Sequence, residues 1–366
     1  MTTSAVKQEK AASSGTMNFL VGLVIVVVLA FLARWFKGLV YGVEDLFGLG
    51  IPGKVLEFPL WAALLGLIAN PILKGLKVFE YAKPGFRTEL FLKVGLVLLG
   101  AGISFKVIVT AAAGAIIQGV IMVSSVYFFS WWLGGKFGLS DSLRAVMSTA
   151  VSICGVSAAI AAAGSVLAKK EEITYITALV IVTALPLMII APLIAQAMHM
   201  PEPIAGAWFG GNVDTTAAVV GAGTIYGETA QKIASIVKQT QNALIGVVAF
   251  LLALYFTTVV EGKKEKPSAS IIWQRFPKFV LGFIIASLIF TFGWIDSAVA
   301  GKAIGSMKDW AFCLAFVCMG LELSASGFKK MGWAPVVVYL IVTVFNTLLA
   351  LGVSWLIFGW LFPASL

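Results

Sequence analysis

The sequence predicts an all-α, polytopic membrane protein built on an inverted repeat, with two broken or re-entrant helix segments. Three observations predict it. The 366-residue chain is 60% hydrophobic and 12% charged, against about 25% charge in a soluble domain, and apolar runs long enough to span a bilayer recur along it. Ser152–Gly164, SICGVSAAIAAAG, aligns without a gap with Gly211–Gly223, GNVDTTAAVVGAG. A weaker match sets Gly100 and Ser104 of LLGAGIS against Gly320 and Ser324 of CMGLELS, so that 58–133 resembles 276–362.

Each copy of the first repeat begins with a polar, glycine-bearing patch and continues as a small-residue helix. A helix that starts inside a bilayer leaves its first N–H groups without intrahelical partners and points its positive dipole end at the gap. Two such starts can form a binding site at membrane depth. The plainer alternative is close packing of two small-residue helices.

Taken in order, residues 1–16 are polar and expected to be a disordered cytoplasmic tail, ahead of a single membrane domain over 17–366. The expected spans are 18–36, 58–73, 88–104 and 107–133, the last ending in Trp131 and Trp132, residues that favour an interface. Residues 140–167 hold the first motif. Residues 173–198 form a span that Pro186 and Pro192 are expected to kink. Residues 202–226 hold the second motif. Spans follow at 233–259, 276–294, 310–324 and 335–362, and 261–270, EGKKEKPSAS, is a charged linker. The first repeat runs from about 57 to 198 and the second from about 202 to 362.

Two full crossings at the motifs would make the motif segments parallel while the three-span blocks ran antiparallel, which no single symmetry operation allows. If both motifs are re-entrant hairpins, everything inverts together. Re-entrant backbone is tolerated in a bilayer only where protein or water covers it. The distribution of Lys and Arg fits the hairpin topology better, because full crossings would move Lys169 and Lys170 to the outer side. Either topology puts the N-terminus in the cytoplasm and the C-terminus outside.

The net charge of +9 does not point to nucleic acid, since the basic residues sit in short clusters between apolar runs, as cytoplasmic loops do. The three cysteines, Cys154, Cys313 and Cys318, lie in apolar stretches and imply no disulfide framework. With His199 as the single histidine, a histidine cluster is excluded. No P-loop, GxSxG, HExxH or CxxC is present. No catalytic residue, metal site or cofactor is expected, and the chain does not read as an enzyme.

The candidate substrate-binding residues are Ser152, Cys154, Gly155 and Ser157 in the first motif, and Gly211, Asn212, Thr215 and Thr216 in the second. Gly155 and Gly211 are expected where the backbone leaves helical geometry. A carboxylate among apolar segments is costly and usually functional, so Asp214 and Glu322 are candidates for coupling to H⁺ or Na⁺. Asp214 could instead cap the following helix. Lys238, Gln241 and Asn242 share a helix face and either line the site or mark the span's entrance, with Lys238 read as an end residue that snorkels to the headgroups. Ser104 and Ser324 are secondary candidates.

These motifs resemble the YeiH-like family of bacterial membrane proteins, whose usual label is sulfate exporter. The likeness covers roughly 55–362. SICGVSAAIAAAG is similar to that family's S-I-C-G-x-S-A signature, and GNVDTTAAVVGAG to its segment ending V-V-A-A-G; VLLGAGIS, CMGLELS and Lys238 with Asn242 also match. The resemblance implies kinship with bile-acid, arsenite and riboflavin-type carriers, with a mobile core and a scaffold. Four positions depart from the family pattern: Asp214-Thr215 replaces His-Glu or His-Asp, Ala218 replaces Gln, and Gln241 replaces Arg.

The expectation is therefore an inner-membrane secondary transporter of a small anion (sulfate, sulfite or a small organosulfonate), coupled to H⁺ or Na⁺, in the lipid bilayer and as a homodimer. The alternatives are a cation-coupled carboxylate carrier or antiporter, and a non-transporting scaffold or receptor.

Overall fold

The computed structural model describes residues 2–40, 43, 57–166, 168–260, 268, 270, 273, 277–295, 297–322 and 332–363. Ser324 and most of the 261–270 linker lie outside the described residues. Among those residues there is no strand, and seven helical stretches are long and apolar enough to cross a membrane. The protein is an all-α, polytopic membrane protein.

Helix α1 is Thr2–Val40, α2 Phe58–Gly75, α3 Phe79–Ala82, α4 Thr88–Ala101 and α5 Phe105–Lys136. Then come α6 Asp141–Ser152, α7 Val156–Val166, α8 Lys170–Ala197, α9 Glu202–Asn212 and α10 Thr216–Tyr226. The last five are α11 Glu228–Ala243, α12 Ile245–Tyr255, α13 Phe279–Thr291, α14 Ser297–Glu322 and α15 Ala334–Ser354.

Residues 2–16 open α1, and their run of Ala, Lys, Gln and Glu consists of strong helix formers. Three expected spans change their bounds. Helices α4 and α13 have 14 and 13 residues, short of the about 20 that a full span needs. Helix α14 starts at Ser297, well before the expected 310. Helix α8 continues through Pro186 and Pro192.

The expected single domain divides into two compact units, Met1–Leu98 with Ala300–Leu323, and Leu99–Val299 with Ser324–Leu366. Two of the three boundaries fall inside the weaker repeat, LLGAGIS and CMGLELS, and the third lies between Val299 and Ala300. In the first unit α2 and α14 touch backbone to backbone. A Cβ at Gly66 would lie 2.3 Å from the Val317 carbonyl, and one at Gly320 2.2 Å from that of Ala63. Without a hydrophobic drive between helices in lipid, such small-residue contacts hold them together. Asn70 donates from Nδ2 to the Leu321 carbonyl at 2.5 Å across the same contact.

The second unit contains both motifs, and each folds as a helical hairpin. Helix α6 runs back along α5, with Arg144 Nε donating to the Trp131 carbonyl and Ser148 Oγ to Ser130 Oγ. At its base, Ser140 and Ser142 donate to Glu172 Oε1 at 3.0 and 2.9 Å, and the Lys169 N–H donates to Glu172 Oε2. The start of α6 is thus level with the start of α8, which is where α7 ends. In the second motif, Gly206 meets Ala230 and Gly210 meets Ala234 and Val237, so α9 runs parallel to α11. Gly223 meets Gln231 while Thr216 bonds Asn242, so α10 runs antiparallel to α11. Helices α9 and α10 are therefore antiparallel.

The two hairpins enter from opposite ends. Helix α15 and the helical run Trp355–Leu361 that continues it are antiparallel to α5, since Gly114 faces Ile357 and Phe129 stacks on Phe345. They are also antiparallel to α9, since Gly359 faces Ile204 and Tyr339 reaches Asp214. Helix α9 then runs with α5, whereas α6 runs against it. Single cysteines at Asp141 and Lys170, in a chain whose own cysteines are replaced, should react with an impermeant maleimide from the same side. Labelling from opposite sides would contradict the first hairpin.

Candidate functional site

The first tip follows from a helix end that only glycine closes without strain. Ile153, at φ −120° and ψ −86°, ends α6. Gly155 turns left-handed at φ 71° and its N–H returns to the Ala150 carbonyl at 2.9 Å, the usual geometry of a glycine C-cap. Helix α7 starts at the next residue.

The second tip is built differently. Helix α9 continues through Gly211 to Asn212, and Val213 and Thr215 are extended. Thr215 is the N-cap of α10, accepting from the Ala218 N–H at 3.2 Å. Two expectations are corrected here. Gly211 lies within the helix, and its small size serves Gln118, whose Nε2 would be 2.5 Å from a Cβ. Asp214 is not the cap, because the Thr215 hydroxyl does that work and leaves the carboxylate to point elsewhere.

The tips meet. A Cβ on Gly155 would lie 2.4 Å from Val180 Cγ1, 3.3 Å from Thr215 Cγ2 and 3.5 Å from the Asp214 carbonyl oxygen. Around this contact stand a buried acid and a buried base, Asp214 and Lys238, each 1% exposed. Tyr339 donates its phenol proton to Asp214 Oδ2 at 2.5 Å. Lys238 Nζ donates to the Ile153 carbonyl at 2.5 Å and to Gln241 Oε1 at 3.2 Å, and its charge acts on Asp214. Asn242 Nδ2 donates to Thr216 Oγ1, Asn346 Nδ2 to the Asn212 carbonyl, and Thr347 Oγ1 to Asn212 Oδ1.

The expectation that Lys238 snorkels is overturned. Helix α11 begins at Glu228, so Lys238 lies nearly three turns inside it, and α11 is buried on nearly every side despite its polarity. The two charges match the dipoles they face: the ammonium sits at the C-terminal end of α6, and the carboxylate at the N-terminal end of α10.

Several fully buried polar atoms at the tips have no hydrogen-bond partner: Asp214 Oδ1, Asn242 Oδ1, Asn212 Nδ2, Gln241 Nε2 and Gln118 Oε1. Buried polar groups unmet within the protein are costly and mark places where ordered water, an ion or a ligand binds.

The structure thus brings together Gly155, Asn212, Asp214, Thr215, Thr216, Lys238, Gln241 and Asn242. Ser152 is buried at the end of α6 and donates to the Thr149 carbonyl at 3.5 Å. Ser157 is exposed on the first turn of α7. Cys154 is buried in an apolar cluster with Val123, Ile245 and Ala249, near enough to Lys238 for the two to interact electrostatically. Ser104 is an exposed N-cap of α5. Glu322 belongs to the first unit, beside Thr88, Glu89 and Lys83, and is not among the residues gathered at the tips. Gln118, Tyr339, Asn346 and Thr347 were not expected; a polar residue within an apolar run was the available signal.

This geometry defines a class: polytopic helical membrane proteins with two opposed re-entrant hairpins meeting tip to tip. Residues 21–339 match the family described as Conserved hypothetical protein 698, and the chain belongs to it. A UPF0324 membrane protein of Rhodopirellula baltica is 34% identical over 368 residues, covering 96% of this chain and 65% of its own length. One from Nitratidesulfovibrio vulgaris is 35% identical over 366 residues, covering 94% and 60%. Another from that organism is 27% identical over 359 residues, covering 94% and 96%. The chain thus spans less than two thirds of the length of the first two relatives. No solved structure matches it.

Proposed function

We propose that the protein is a secondary transporter of a small anion, of the sulfate, sulfite or organosulfonate kind, coupled to H⁺ or Na⁺ through Asp214. In this reading it sits in the bacterial inner membrane with its N-terminus in the cytoplasm. One observation carries the reading: two opposed hairpin tips close on a buried Lys238 and Asp214, and several polar atoms of the tip residues are unmet within the protein. Broken helices at membrane depth are the setting in which carriers bind anions at helix N-termini and ions at unwound backbone. A scaffold or receptor has no need of an unsatisfied, charged centre. Asp214, standing where the resembled family has histidine, favours a cation-coupled carboxylate carrier or antiporter as the second reading.

The test is uptake of labelled sulfate, sulfite and ethanesulfonate into liposomes under imposed pH and Na⁺ gradients. Flux should follow one of the gradients. Asp214→Asn, whose backbone cap at Thr215 is untouched, should remain folded and carry flux that no longer responds to either gradient. A mutant with wild-type ion dependence would remove Asp214 from coupling. A folded protein without flux for any of the three would favour the scaffold.

A further inference from the structure

We infer that the hairpin tips recognise a zwitterion, a small molecule carrying an oxyanion group and an ammonium group together, rather than a simple anion. The inference rests on reading the tips as the substrate site, and it names the chemistry that this site accepts.

The fixed charges at the tips are one acid and one base, both buried, and each is only partly satisfied. An ammonium has three donors, and Lys238 uses two, on Ile153 and Gln241. Asp214 accepts from Tyr339 at Oδ2, the Thr183 hydroxyl also acts on its carboxylate, and Oδ1 has no close hydrogen bond within the protein. A bare anion would answer Lys238 but add a second negative charge beside Asp214 unless H⁺ or Na⁺ enters with it. A bare cation would do the reverse beside Lys238. In a centre this buried either imbalance is expensive. A zwitterion meets both charges and leaves the centre neutral.

The unmet neutral atoms are mixed in the same way. Asn212 Nδ2 and Gln241 Nε2 are donors suited to an oxyanion, and Asn242 Oδ1 is an acceptor suited to an ammonium. All three residues are at most 2% exposed. The N-terminal end of α7, beginning immediately after Gly155, adds positive potential on the oxyanion side.

The experiment compares three probes of one size on the purified full chain in detergent: 2-aminoethanesulfonate, ethanesulfonate and ethylammonium. Thermal unfolding is followed against concentration, since a ligand stabilises the state that binds it. The zwitterion should half-saturate at a concentration at least about ten-fold lower than either partner probe, the worth of one charged hydrogen bond in a buried site. Asp214→Asn should bring 2-aminoethanesulfonate and ethanesulfonate within about two-fold of each other. Equal response of the wild type to the zwitterion and to ethanesulfonate would overturn the inference. So would the absence of a shift with the zwitterion up to the millimolar range. The wild-type comparison decides the matter even if the variant does not fold. Liposome flux separates this inference from the reading beneath it: flux of ethanesulfonate without zwitterion preference sinks the inference alone, and zwitterion binding without flux sinks transport alone.

Discussion

Replacing Gly155 by alanine should destabilise the protein by about 2–5 kcal/mol, from two causes that add. A left-handed residue with a Cβ costs about 1–2 kcal/mol, and Gly155 has φ 71°. The Cβ would also fall 2.4 Å from Val180 Cγ1 and 3.3 Å from Thr215 Cγ2. Overpacking of that kind costs about 1–3 kcal/mol more. Gly138 separates the causes: it has φ 70° and nothing within 4 Å of a Cβ. Gly138→Ala should therefore show the backbone cost alone, about 1–2 kcal/mol. Chemical or thermal unfolding of both variants in the same detergent is the check. Equal losses would mean that the tips do not meet as described.

Lys238→Met should cost about 3–5 kcal/mol, the usual consequence of removing one member of a buried charge pair. Methionine fills much of the volume, so packing is not the main loss. The Ile153 carbonyl loses its donor, the C-terminal end of α6 loses its counter-charge, and Asp214 is left without a base beside it. The double variant Lys238→Met with Asp214→Asn should therefore lose less than the sum of the single losses, since no unpaired acid is left. A double-mutant cycle measures that coupling. Strict additivity would mean that the two residues do not sense each other.

Some of this architecture was legible from the chain because the signals are local. Small residues, glycines and hydroxyls interrupting apolar runs marked both breaks, and the gapless repeat together with the basic loops indicated opposed hairpins. The exact position of the second break was less clear. A glycine can serve a bend or a close contact, and at Gly211 the need comes from Gln118, more than 90 residues away. The cap at Thr215 rather than Asp214 is a choice between adjacent residues with similar capping ability, settled by Tyr339 taking the carboxylate. Lys238 was misread because an ammonium in an apolar run usually reaches the membrane surface. Its partner is a backbone carbonyl freed at the first tip, and no pattern along α11 reveals that. Tyr339 and Asn346 stand out only once α15 is known to lie antiparallel to α9.

The most direct test of the account is a cryo-electron microscopy map of the protein with the sulfonate that stabilises it most. The account predicts density at the hairpin tips, with the sulfonate oxygens against Lys238 and the ligand's other end toward Asp214 Oδ1. Density elsewhere on the molecule, with the tips closed as they are here, would contradict it.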